Sequence, residues 1–139
     1  MVTVRWDGKT AFEAEVPSGP PFVLDTHPDH GGQGRGPTPV ETLLASIAAC
    51  SAMDVIAVLE KMRQKVSSYR VEVDGDRPPP GDYPRAFSAI RIRHVVRGEN
   101  VDPQAVAKAV ALSDEKYCTV ITTLRASPSV TSIFVIEEG

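Results

Sequence analysis

The chain has 139 residues, 42% of them apolar and 24% charged, with a formal net charge of −3. That length suits one domain, and residues 1–139 are expected to form a single unit. An acidic balance offers no basic stripe to neutralise phosphates, which sets nucleic acid aside as a main partner.

Residues 2–7 and 10–16 are two short runs joined at Asp7-Gly8, a hairpin signal. In the second run Ala11, Glu13 and Glu15 alternate with Phe12, Ala14 and Val16, the pattern of a half-buried strand. Phe22 to Leu24 follows the Pro17–Pro21 turn as a third strand. His27 to Pro37 is dense in Gly, Pro and Asp and is expected to be a loop.

Thr38 opens the clearest element. It is the expected N-cap, with Pro39 at the first helical position and Glu41 completing a T-x-x-E capping box. The helix is predicted to run to about Gln64, where Lys61, Arg63 and Lys65 suit its negative end. Its apolar stretch, Leu43 to Leu59, is short for a membrane span and carries Asp54, which points to a buried helix and no membrane. Small residues from Ala45 to Ala52 suit close packing against a second helix. The start of the chain lacks a basic segment followed by an apolar one, so a cytoplasmic location is expected.

Tyr69 to Asp74 alternates and predicts a strand. Arg77 to Pro84 holds four prolines and predicts a loop. Phe87 to Val96 alternates again, Ile90 and Ile92 against Arg91 and Arg93. Asp102-Pro103 opens a second helix, about 103–116. Cys118 precedes a short segment to Leu124 of helical character, and Val130 to Ile136 is predicted as a last strand. Strands, a helix, strands, helices and a strand in that order give an α+β class.

The chain has two cysteines, Cys50 inside the long helix and Cys118 near a late helix. Their separation fits neither a CxxC nor a zinc pattern, and no paired spacing of Cys and His completes a four-ligand metal site. In a reducing compartment such a pair is more often catalytic or metal-binding than a structural staple. On composition alone, two inert core thiols are the more ordinary reading.

Local sequence points further. Pro37-Thr38-Pro39-Val40-Glu41-Thr42-Leu43-Leu44-Ala45-Ser46-Ile47-Ala48-Ala49-Cys50-Ser51-Ala52-Met53-Asp54 resembles the first cysteine motif of the OsmC/Ohr family. Ser113-Asp114-Glu115-Lys116-Tyr117-Cys118-Thr119-Val120 resembles its second. Ser51 to Val55 and Glu115 to Cys118 are similar to the YhfA-like branch. The resemblance implies an OsmC-like fold, with antiparallel strands around a long central helix, and an intertwined homodimer. It implies a peroxidatic Cys50 and a resolving Cys118 that reduce an organic hydroperoxide to its alcohol. A dithiol, of lipoyl type in the best-studied branches, would regenerate them without metal, flavin or other cofactor. The better-known peroxidases use an Arg held by a Glu ten residues before the cysteine. Here that place is Val40, the acid is Glu41, and Arg35 or Arg5 is the candidate cation, Arg35 preferred because its loop leads into the helix.

Each residue has a plainer reading. Glu41 serves as the capping-box acid, and Arg35 as a solvated loop residue. His27, Asp29 and His30 resemble metal ligands faintly but lie in a Gly-rich loop. His94 alternates with strand residues and reads as structural. Asp54, one turn past Cys50, meets a partner chain or marks an exposed edge. The competing reading of the whole is a dimeric module that binds an apolar small molecule, its cysteines acting as redox sensors.

Overall fold

The structure is a computed structural model and describes residues 1–137. The chain forms two compact units. One comprises Met1–Ala48 with Glu72–Arg93, the other Ala49–Val71 with the residues from His94 onward. The class is α+β with antiparallel strands and one long helix, as the sequence pattern predicts.

In the first unit, β1 (Thr3–Trp6), β2 (Phe12–Glu15) and β3 (Phe22–Leu24) form an antiparallel sheet in that order. Thr3 stands opposite Glu15 and Trp6 opposite Phe12, so the hairpin turns at Asp7-Gly8. Gly8 takes φ 90°, a conformation free of cost only for glycine. Ala11 and Ala14 are buried. The loop after β3 is organised by Asp25, whose buried carboxylate accepts from Thr10 Oγ1 at 2.7 Å and from the amides of Thr26, Gln33 and Arg35 at 2.7, 3.0 and 3.2 Å. These donors, Thr10 first, pull its pKa down to about 2.

The long helix α1 spans Pro39–Lys61. Its start is the expected capping box: the Glu41 amide donates to Thr38 Oγ1 at 3.2 Å, and the Thr38 hydroxyl donates to Glu41 Oε1 at 2.8 Å. It stops three residues before the predicted Gln64. Arg63 adopts φ 59°, and the amides of Arg63 and Gln64 return to the carbonyls of Glu60 and Leu59, a Schellman closure. By length and composition α1 is apolar enough to cross a membrane. The buried-helix expectation holds on one face. Val55 and Leu59 are fully buried, whereas Ala45, Ala49, Met53 and Ala57, spaced by four, are exposed, Met53 at 69%.

β4 (Lys65–Asp76) and β5 (Ala89–Glu99) pair in a two-stranded ribbon. β4 extends past its predicted 69–74 at both ends, whereas β5 starts two residues after the predicted 87 and runs three past the predicted 96. Arg91 bridges Asp74 and Asp76 while Arg93 bridges Glu72, so the strands run in opposite directions.

In the second unit, α2 (Pro103–Leu112) is capped by Asp102, which accepts from the Gln104 amide at 2.9 Å. The helical pattern does continue toward residue 116, but as a π-helical turn, Ser113–Tyr117, before α3 (Thr119–Ala126). Val55, Leu59, Ala105 and Ala109 form the core, flanked by Val58, Met62, Val66 and Val106. His94, half-buried, meets the Tyr69 hydroxyl through Nδ1 at 2.6 Å. The predicted strand Val130–Ile136 is corrected. That segment forms no strand, and Ile133 to Ile136 are each 79–93% exposed. A strand needs a partner edge, and among the described residues none pairs with this segment.

Candidate active site

Cys50 lies in the second unit, half-buried on α1. Cys118 is fully buried at the N-cap of α3, where its Sγ accepts the Ile121 amide at 3.4 Å. The π-helical turn delivers it there, since the Cys118 amide returns to the Ser113 carbonyl at 2.8 Å. The two sulfurs lie within 4.8 Å of one another. Both thiols are free. Burial pushes the Cys118 thiol above its ordinary value. Cys50 acts in the same direction, and the Ile121 and Val120 amides oppose it.

Asp54 shares this site. Its carboxylate lies within 4.8 Å of both sulfurs. It is not simply an exposed edge charge. Ser113 Oγ donates to Asp54 Oδ2 at 3.2 Å and stands 3.0 Å from Ser51 Oγ. A hydroxyl has one proton to give, so with Ser113 donating to the carboxylate, Ser51 donates to Ser113. Both serines are fully buried. Both lie within the two cysteine motifs, where nothing in the sequence marks that they pair. A groove of about 410 Å³ opens next to Cys118, with Tyr117, Thr122 and Pro128 on its wall.

The other two predicted site residues belong to the first unit and are engaged there. Arg35 donates through Nη1 to the Asp7 carbonyl at 2.9 Å and pairs through Nη2 with the Asp7 carboxylate. Glu41 is the capping acid of α1. The alternative cation, Arg5, pairs with Glu15. His27 and Asp29 form a local turn in which His27 Nδ1 accepts the Asp29 amide at 3.2 Å. Among the described residues, the donors that converge are those of Cys50, Asp54 and Cys118.

Known proteins place this arrangement. The sequence profile of OsmC-like protein matches residues 31–133, which include both cysteines. Protein YhfA of Escherichia coli strain K12 is 34% identical over 134 residues, covering 96% of this chain and 95% of its own. The crystal structure of a hypothetical protein from Aquifex aeolicus VF5 superposes with a TM-score of 0.78 at 30% identity, over 91% of this chain and 87% of that one. An OsmC-like protein from Mycoplasma pneumoniae has the same fold, with a TM-score of 0.73 at 18% identity over 90% and 86% of the two chains. With one family profile spanning most of its length and YhfA similar from end to end, the chain belongs to the OsmC-like protein family.

Proposed function

We propose that this protein is a cytoplasmic, cofactor-free thiol peroxidase that reduces organic hydroperoxides to alcohols, with residues 1–139 acting as one OsmC-like domain. The observation that carries the reading is the approach of the two sulfurs to within 4.8 Å from distant parts of the chain. Family membership supports a redox role. Unequal burial supports the division of labour: Cys50 is the reachable thiol, and burial, which pushes the Cys118 thiol up, suits Cys118 to the second step.

In that step the Cys50 thiolate attacks one peroxide oxygen. The O–O bond breaks, the alkoxide takes a proton and leaves as the alcohol, and Cys50 carries a sulfenic acid. The Cys118 sulfur then attacks the Cys50 sulfur, and its proton leaves with the hydroxyl as water. An external dithiol, with a lipoyl-type compound the first choice, reduces the disulfide and is itself oxidised. In this reading Arg35 is the activating cation. Asp7 fills the role of its acid, and Glu41 contributes through the helix cap.

A homodimer completes the proposal. The exposed row Ala45, Ala49, Met53 and Ala57 suits a second α1, and the uncovered Ile133–Ile136 suits a partner's sheet edge. The groove beside Cys118 favours the second reading, a dimeric small-molecule-binding or redox-sensing protein.

The two readings separate on turnover. Catalytic consumption of cumene hydroperoxide with dihydrolipoate supports the peroxidase, and a single stoichiometric oxidation supports the sensor. One equivalent of peroxide is expected to give an intramolecular Cys50–Cys118 disulfide by mass spectrometry. Links between Cys50 residues of two chains alone would reject the resolving role.

A further inference from the structure

Cys50 and Asp54 stand one turn apart on α1, which sets their side chains on the same helix face. Cys118 joins them from the N-cap of α3. The three donor atoms, two thiol sulfurs and one carboxylate oxygen, all lie within 4.8 Å of one another. Around a tetrahedral zinc ion, bonds of about 2.3 Å to sulfur and about 2.0 Å to oxygen set ligand atoms roughly 3.5–3.8 Å apart. Gathering the three donors onto such an ion takes a closure of about 1 Å, the scale of a side-chain torsion.

We propose that the reduced chain binds one zinc-class divalent cation through Cys50, Cys118 and Asp54, the fourth position being taken by water or an incoming ligand. The donor set chooses the class of ion. Two thiolates favour zinc and its neighbours over magnesium or calcium, which take oxygen ligands. Three protein ligands with one exchangeable position is a familiar zinc arrangement.

The surroundings are those of a held ligand set. Ser113 donates to the Asp54 carboxylate at 3.2 Å and is itself met by Ser51 at 3.0 Å, both serines fully buried. Metal-bound carboxylates are oriented by hydrogen bonds of this kind. The two-cysteine cycle as written assigns no task to Asp54, whereas a cation gives it one.

Binding is balanced by proton release. A divalent ion takes two thiols and one carboxylate, and both thiol protons go to solvent. The metal and a Cys50–Cys118 disulfide compete for the same sulfurs, so bound zinc holds the pair reduced and away from peroxide. That consequence for turnover rests on the peroxidase reading, whereas the binding itself does not.

The test uses the full chain, reduced, stripped with a chelator, and titrated anaerobically with cobalt(II) as the probe for zinc. A near-ultraviolet sulfur-to-cobalt charge-transfer band and the visible bands of a tetrahedral ion are expected, saturating at one cobalt per chain. Zinc should bleach both and release about two protons. Against a chromophoric chelator, Ser113→Ala should weaken zinc binding about 10-fold, and Asp54→Asn at least about 10-fold. Cys50→Ser should weaken the charge-transfer band. If that variant fails to fold by circular dichroism, wild-type protein alkylated with iodoacetamide replaces it. No charge-transfer band at saturating cobalt overturns the site. Equal zinc affinity in Asp54→Asn and wild type also overturns it, because a bare dithiol then does the binding. No peroxide is present, so a chain that binds cobalt without reducing hydroperoxide keeps this inference and loses the peroxidase, and the converse result does the opposite.

Discussion

Ser113 Oγ donates to Asp54 Oδ2 at 3.2 Å, and this one buried hydroxyl fixes the carboxylate that lies beside both thiols. Ser113→Ala removes that bond and leaves the Ser51 hydroxyl buried without its partner. A loss of about 1–3 kcal/mol is expected. The double variant with Ser51→Ala should lose less than the two single losses together, because the orphaned hydroxyl is then gone too. Urea denaturation of the four proteins measures the cycle, and strict additivity would contradict the network.

Thr38→Ala removes the oxygen that accepts the Glu41 amide. A loss of about 1 kcal/mol is expected from the missing cap, with the alkylation rate of Cys50 nearly unchanged. Thermal melts and iodoacetamide kinetics check both halves. Unchanged stability together with lost peroxide reduction would move Thr38 from the helix cap to the chemistry.

Arg35→Ala is expected to slow both Cys50 alkylation and peroxide reduction, and Arg35→Lys to restore only part. An ammonium cannot reproduce the fork that engages both the carbonyl and the carboxylate of Asp7. The measurement is the pH dependence of Cys50 alkylation in the three proteins. Superimposable profiles would take Arg35 out of the activation step.

Burial holds the His94 pKa below its ordinary 6.5, with Asp114 opposing. The folded chain therefore binds a proton at this site less readily than the unfolded one. His94 contributes stability that is fully present above the unfolded value and lost as pH falls from there through the folded value. Urea unfolding between about pH 7 and pH 5 should show stability declining with pH, and His94→Gln should flatten that part of the slope. An equal slope in the variant would assign the decline to other groups.

Met53→Asp puts a charge on the exposed row of α1, where the side chain is 69% accessible. If two α1 helices pack there, sedimentation at micromolar concentration should show a dimer in the wild type and a monomer in the variant, with the circular dichroism of both alike. A well-folded wild-type monomer would remove the dimer.

The parts of the fold that announce themselves in the sequence have local causes. The Asp7-Gly8 turn, the Thr38–Glu41 box and the Asp102 cap each rest on residues within a few positions of one another. The ribbon runs past its predicted ends through Gly75 and Gly98, a residue type that weakens strand interiors. In the fold, a side chain on Gly98 would begin 1.9 Å from the Lys65 carbonyl oxygen, so a glycine there permits the close approach of β4 and β5. The π-helical turn had no signature in 113–116, whose composition continues a helix. Of the candidate site, the two cysteines were found through their motifs. Ser51 and Ser113 were not, since only the tertiary fold brings them together. Asp54 was noticed as a charge on an apolar helix, and its partner came from the other end of the unit. Glu41 was expected near Arg35, yet the carboxylate that holds Arg35 is Asp7, across the hairpin turn.

The bare segment Ile133-Phe134-Val135-Ile136 has a consequence for the solubility of the chain. Four consecutive uncharged, β-prone side chains held in water have the composition of a cross-β seed. Every newly made copy carries that seed until something covers it. In the proposed homodimer that cover would guard against aggregation as well as complete a sheet, and a charge introduced there to improve solubility would weaken the same contact.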